Sequence, residues 1–65
     1  MAERLTDRER EVFGLIGRGR GTRDIARQLD LSMKTIETYQ SRIKEKLGLT
    51  NHHELIRAAV SWTEP

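Results

Sequence analysis

Apolar residues recur at three- and four-residue intervals in four separate stretches of this chain, with polar residues suited to helix ends between them. In the first stretch Val12, Leu15 and Ile16 form one stripe. It follows Thr6-Asp7-Arg8-Glu9, where a hydroxyl and a carboxylate three residues apart can each satisfy a free backbone amide, a capping box. These features predict a helix over 7–17, ended by Gly17-Arg18-Gly19-Arg20-Gly21, because three closely spaced glycines favour a turn. Phe13 falls beside the stripe and is expected to be partly exposed. A short second helix is predicted over 22–29, with Ile25, Ala26 and Leu29 inward and Asp24 near the positive end of the helix dipole. Asp30-Leu31 makes a tight connection to Ser32, an N-cap for a helix over 33–47 with Ile36, Ile43 and Leu47 on one side. Gly48 suits a left-handed helix end, and Leu49 is expected to pack back onto the core. Asn51 and Glu54 predict a second capping box, opening a helix over 52–62 that carries Leu55, Ile56, Ala59 and Val60.

The pattern reads as an all-α fold. It is a compact four-helix domain over 1–65 containing a helix-turn-helix, of the winged-helix-like class without a wing. A chain of 65 residues buries only about 60% of the surface it exposes when unfolded, which leaves little room for a dry catalytic centre. No nucleophile–base pair or metal-ligand cluster stands out, so the reading is a non-enzyme without cofactor. The absence of cysteine rules out a disulfide framework and a thiolate metal site. His52-His53 does not read as a metal site either, since adjacent helical residues point about 100° apart and nothing completes a coordination shell. Gly17-x-Gly19-x-Gly21 lacks the lysine-hydroxyl ending of a phosphate loop. It reads as a flexible basic turn, with a short arginine-glycine RNA-binding segment as the competing reading. No apolar run approaches the ~20 residues of a bilayer span, and Glu3, Arg4, Asp7 and Arg8 occupy the place of a secretory signal's apolar stretch. The expectation is a soluble, intracellular domain with no membrane partner.

Charge adds a direction to this picture. Of the 12 basic residues, Arg18, Arg20, Arg23, Arg27, Lys34, Arg42, Lys44 and Lys46 lie in the middle of the chain, against only Asp24, Asp30, Glu37 and Glu45 of the 10 acids. Such asymmetry suits a polyanion, although a solvated helix surface has the same composition. The second and third helices, joined by a few residues, form the arrangement in which one helix braces on phosphates and the next enters a major groove. On a helical wheel centred on Ile36, the residues Lys34, Thr38, Ser41 and Glu45 point outward, with Glu37 near one edge and Arg42 near the other. This face offers hydroxyls, a carboxylate and cations, the groups that address base edges and phosphates. Short helix, tight turn, capped helix and local positive charge together imply double-stranded DNA as the partner.

The same residues carry a family resemblance. Leu5-Thr6-Asp7-Arg8-Glu9-Arg10-Glu11-Val12, then Ile25-Ala26, Leu29, Leu31-Ser32 and Lys34-Thr35-Ile36-Glu37-Thr38-Tyr39 resemble the LuxR/NarL-type, or GerE-like, helix-turn-helix domain. Lys46-Leu47-Gly48-Leu49 and Asn51 with Glu54-Leu55 extend the likeness, which covers Leu5 to about Val60. The resemblance implies that Glu37, Thr38 and Ser41 face bases. It implies that Thr22, Arg23, Lys34, Thr35, Tyr39, Arg42 and Lys46 meet the DNA backbone. It implies a homodimer, weak in isolation, through Leu55, Ile56, Ala59 and Trp62 of the fourth helix. It further implies a cytoplasmic, nucleoid-associated bacterial transcription regulator, with RNA polymerase as a further partner and this chain as the C-terminal output domain of a longer two-component response regulator. Many members carry a basic residue where this chain has Glu37, so the DNA sequence read is left open.

Trp62 has two readings, dimer anchor or cover for the end of the core. Two other functions compete with the regulator. Region four of a sigma factor shares the helix-turn-helix but normally ends after its recognition helix, whereas Asn51–Trp62 supply a further amphipathic helix. A helical protein-interaction module would use the fourth helix and never touch DNA.

Overall fold

Four helices follow one another along the chain: α1 (Asp7–Gly17), α2 (Thr22–Leu29), α3 (Met33–Leu47) and α4 (His52–Thr63). They are seen in a computed structural model that describes residues Met1–Glu64. Among the described residues there is no strand. A single 3-10 turn, Ala2–Arg4, precedes α1 and was not expected from the apolar pattern. It is held because Ala2 and Leu5 are buried and because the Arg10 guanidinium donates to their carbonyl oxygens at 3.2 and 3.1 Å.

Side-chain caps open three of the helices. Thr6 Oγ1 accepts from the Glu9 amide at 3.2 Å while the Glu9 carboxylate accepts from the Thr6 amide at 2.9 Å, a complete capping box. Ser32 Oγ accepts from the Thr35 amide at 3.1 Å. Asn51 Oδ1 accepts from the Glu54 amide at 2.8 Å, but the expected second box does not close. The Glu54 carboxylate turns instead to Thr50, whose amide and hydroxyl both donate to Oε1 at 2.7 and 2.9 Å. Two donors on one oxygen replace the single amide of Asn51, and they hold the Glu54 carboxyl below its ordinary range.

The C-terminal ends of α1, α2 and α3 share one geometry. A residue in the left-handed region, Gly19 (φ 88°), Asp30 (φ 57°) or Gly48 (φ 69°), reverses the chain. The following amide then bonds back five residues: Arg20 to Leu15 at 3.0 Å, Leu31 to Ala26 at 2.8 Å and Leu49 to Lys44 at 2.8 Å. Asp30 is the one of the three that carries a side chain, and it sits in the turn joining α2 to α3.

The glycine run is also more differentiated than a flexible turn. Gly17 still belongs to α1, and a Cβ there would collide with the Ala59 carbonyl and the Thr63 side chain of α4. The absent side chain lets two helix backbones touch.

Phe13 is a correction: it is wholly buried, as are Val12, Ile25, Ile36, Ile43, Leu55 and Ala59. The reason is the position of α1, which packs against all three other helices and so needs apolar groups around more of its circumference than one stripe. Burying a large aliphatic or aromatic side chain of this kind contributes about 1.5–3 kcal/mol. The Phe13 ring faces Trp62, with centroids 5.3 Å apart and planes tilted by 33°. Trp62 thus covers this end of the core while remaining 38% exposed. Leu49 is partly buried against the core. The domain measures 26 × 24 × 21 Å, so α3, about 22 Å long at 1.5 Å per residue, runs its full width.

Candidate nucleic-acid interface

The three-residue turn Asp30-Leu31-Ser32 sets α3 across α2 and leaves one side of α3 uncovered. Ile36 and Ile43 are its fully buried anchors. Met33, Lys34, Glu37, Thr38, Ser41, Arg42 and Glu45 are exposed along the opposite side. The three residues expected to face bases, Glu37, Thr38 and Ser41, lie together on this surface. Thr38 Oγ1 donates to the Lys34 carbonyl at 3.1 Å. With its proton engaged inside the helix, Thr38 presents a lone pair and a methyl group outward.

The flanks hold the residues expected at phosphates, and they differ in what each has free. Lys34, Arg23 and Arg42 are exposed and make no ion pair among the described residues. The Thr35 and Ser32 hydroxyls lie 2.9 Å apart in the cap of α3. Tyr39 is partly buried against the core. The Thr22 hydroxyl, on the first turn of α2, accepts a hydrogen bond from Gln40 Nε2 at 3.1 Å.

Lys46 differs from these flanking residues. Its ammonium points inward and donates to Glu9 Oε1 at 2.7 Å. Glu9 is only 2% exposed, and a carboxylate so placed requires a counter-ion. The bond from Lys46 comes first among the causes that hold the Glu9 carboxyl below its ordinary range, and it acts against burial, which raises it. Lys46 therefore fastens the end of α3 to the start of α1, and its charge, unlike those of Lys34, Arg23 and Arg42, is met within the domain.

Two of the four residues expected at a dimer face are also corrected. Leu55 and Ala59 are wholly buried within the domain, because α4 lies along α1 and turns that side inward. Ile56 and Trp62 remain, each 38% exposed.

Three residues near the interface escaped the sequence pattern. Glu9 and Gln40 are buried polar groups. Both occupy core-facing places, Glu9 three residues before Val12 and Gln40 between Ile36 and Ile43 at intervals of four and three, so their spacing was the signal. Met33, 41% exposed on the first turn of α3, breaks no spacing rule and gave no signal.

A four-helix domain with α3 exposed beside a tight turn and ringed by unpaired cations defines a DNA-binding helix-turn-helix of the transcription-regulating class. The chain belongs to the bacterial regulatory proteins of the luxR family, whose profile matches residues 3–59. It is 45% identical over 56 residues to the transcriptional regulatory protein MctR of Rhizobium johnstonii and to the transcriptional activator protein ExaE of Pseudomonas putida. It is 41% identical over 56 residues to the oxygen regulatory protein NreC of Staphylococcus aureus. Each match covers 86% of this chain but 26% of the relative, so the chain spans about a quarter of their length. No solved structure matches it. No helix among the described residues is long and apolar enough to cross a membrane.

Proposed function

We propose that this domain binds double-stranded DNA sequence-specifically, with α3 in the major groove. Glu37, Thr38 and Ser41 address base edges in this reading. Thr22, Arg23, Lys34, Thr35, Tyr39 and Arg42 fix the register on the phosphates. The observation that carries it is the polar face of α3 from Lys34 to Glu45, flanked by cations that make no ion pair among the described residues. A Glu37 carboxylate can accept from cytosine N4, and the Thr38 methyl fits against a thymine methyl. Because the chain spans 26% of its relatives, we read it as the C-terminal output domain of a longer regulator in the bacterial cytoplasm, of the two-component response-regulator type. Pairing of two copies through Ile56 and Trp62 of α4 would match a target with two half-sites, and contact with RNA polymerase would follow from promoter binding.

Selection from a random duplex pool at several salt concentrations tests this. The expected outcome is an enriched motif with two related half-sites and an affinity that falls steeply with salt. Thr38→Ala or Ser41→Ala shifts the enriched bases. Enrichment of a promoter-like single site would favour the sigma-factor reading. Absence of binding at every salt concentration would favour a protein-interaction module.

A further inference from the structure

We propose that Gln40 is a positioning residue that commits the Thr22 hydroxyl to donating its proton to a DNA phosphate. The inference rests on the DNA-binding reading above and assigns a role to a residue outside the set named there.

Gln40 lies midway along α3 and is 8% exposed. Its side chain crosses to α2, where Nε2 donates to Thr22 Oγ1 at 3.1 Å. A hydroxyl has one proton and two lone pairs, and can in general act either way. Once Gln40 occupies one lone pair, the proton and the second lone pair remain, and of these only the proton can address a partner that is purely an acceptor. No described residue accepts it. Both side chains line a surface cavity of about 300 Å³ together with Arg20, Gly19, Gly21 and His52, so the hydroxyl is not sealed inside the domain. A phosphate oxygen is an acceptor only, and a hydroxyl already accepting from an amide is the better donor to it. In a buried place such as this an apolar residue would fill the space without an amide to satisfy, so a glutamine here is matched to a specific polar partner. The device also links the base-reading helix to the bracing helix through a bond that carries no net charge.

The test measures binding of random-sequence duplex DNA, because a phosphate contact acts on all sequences alike. Gln40→Met, close in shape, is expected to weaken binding by about five-fold. Thr22→Val alone does the same, and the double variant loses about five-fold rather than about 25-fold, because both changes remove one contact. Gln40→Glu keeps the polar side chain but can only accept, so it draws the Thr22 proton inward and weakens binding by about ten-fold or more. The slope of log affinity against log salt stays at the wild-type value in Gln40→Met, since no cation–phosphate contact is lost. A flattened slope would mean that α2 had shifted and carried Arg23 off its phosphate, which overturns the positioning role in favour of a structural one. Multiplying effects in the double variant, or wild-type affinity in Gln40→Met and Gln40→Glu, also overturn it. A wild-type domain that binds no duplex sinks the DNA-binding reading itself, which these variants leave distinguishable.

Discussion

The cations at the junction of α1 and α3 and those on the α2–α3 face are the same residue types in different employment. At the junction every one has an acceptor within the domain. Lys46 meets Glu9, Arg10 meets the carbonyls of Ala2 and Leu5, Arg4 donates to the Lys46 carbonyl at 3.3 Å, and Arg8 pairs with Glu11 at 3.1 Å. On the other face Arg23, Arg27, Lys34 and Arg42 make no ion pair among the described residues. Arg23 and Arg27 even stand four apart on α2, a like-charge spacing that costs a helix a few tenths of a kcal/mol. Charge that destabilises its own helix is the kind that an external polyanion can reward. The placement of acceptors within the domain, rather than cation count, separates the two regions.

The largest expected effect attacks the scaffold side. Lys46→Ala leaves Glu9 buried without its counter-ion and should lower unfolding stability by about 2 kcal/mol in urea melts. This is less than the 3–5 kcal/mol typical of a fully buried pair because the Lys46 side chain is 36% exposed. A loss below about 0.5 kcal/mol, the range of ordinary surface changes, would place Lys46 with the free cations. Arg42→Ala is the mirror experiment. Stability should stay within about 0.5 kcal/mol, while affinity for all duplexes falls about ten-fold and the salt slope drops by about one. Destabilisation by Arg42→Ala would erase the distinction.

A third test uses protons. Lys46 first, and then the Thr6 amide, hold the Glu9 carboxyl below its ordinary value, which is about 4.3 in an unfolded chain. A lowered native pKa gives stability that is present above the unfolded value and lost as pH falls through the folded one. The stability gap between wild type and Glu9→Gln should therefore be open at neutral pH and close below about pH 4. A gap constant down to about pH 3 would mean that the ion pair contributes nothing. The smallest effect concerns the turn between α2 and α3. Asp30→Gly relieves a left-handed conformation at φ 57° and should raise stability by about 0.5 kcal/mol. It also removes an acidic group from the cationic face, so affinity should rise slightly.

Most of the fold was legible because helix ends and apolar spacing are local properties. Thr6 with Glu9, Ser32, and Gly48 carry their instruction within a few residues. What escaped depended on neighbours distant in sequence. Phe13 looked superfluous to one stripe because the stripe does not reveal how many helices will surround α1. Leu55 and Ala59 looked available for a second copy because an apolar face does not say whether its cover comes from the same chain. Gln40 and Lys46 were legible as polar, yet only the crossing of α3 with α2 and α1 turns one toward Thr22 and the other toward Glu9. The exposed polar face of α3 was legible in composition, since it needs nothing from the rest of the domain.

The Glu9–Lys46 bond joins residues 37 apart, and the whole of α2 and most of α3 lie between its ends. Closing a loop of that length costs chain entropy, which the packing of α2 and α3 inside it helps to offset. Once formed, it acts as a clasp around α2 and α3. Their amides should exchange with solvent through cooperative opening of the entire domain rather than by fraying one helix at a time. On the DNA-binding proposal, an α3 surface fastened in this way would meet its target already assembled, with little ordering left to do on binding.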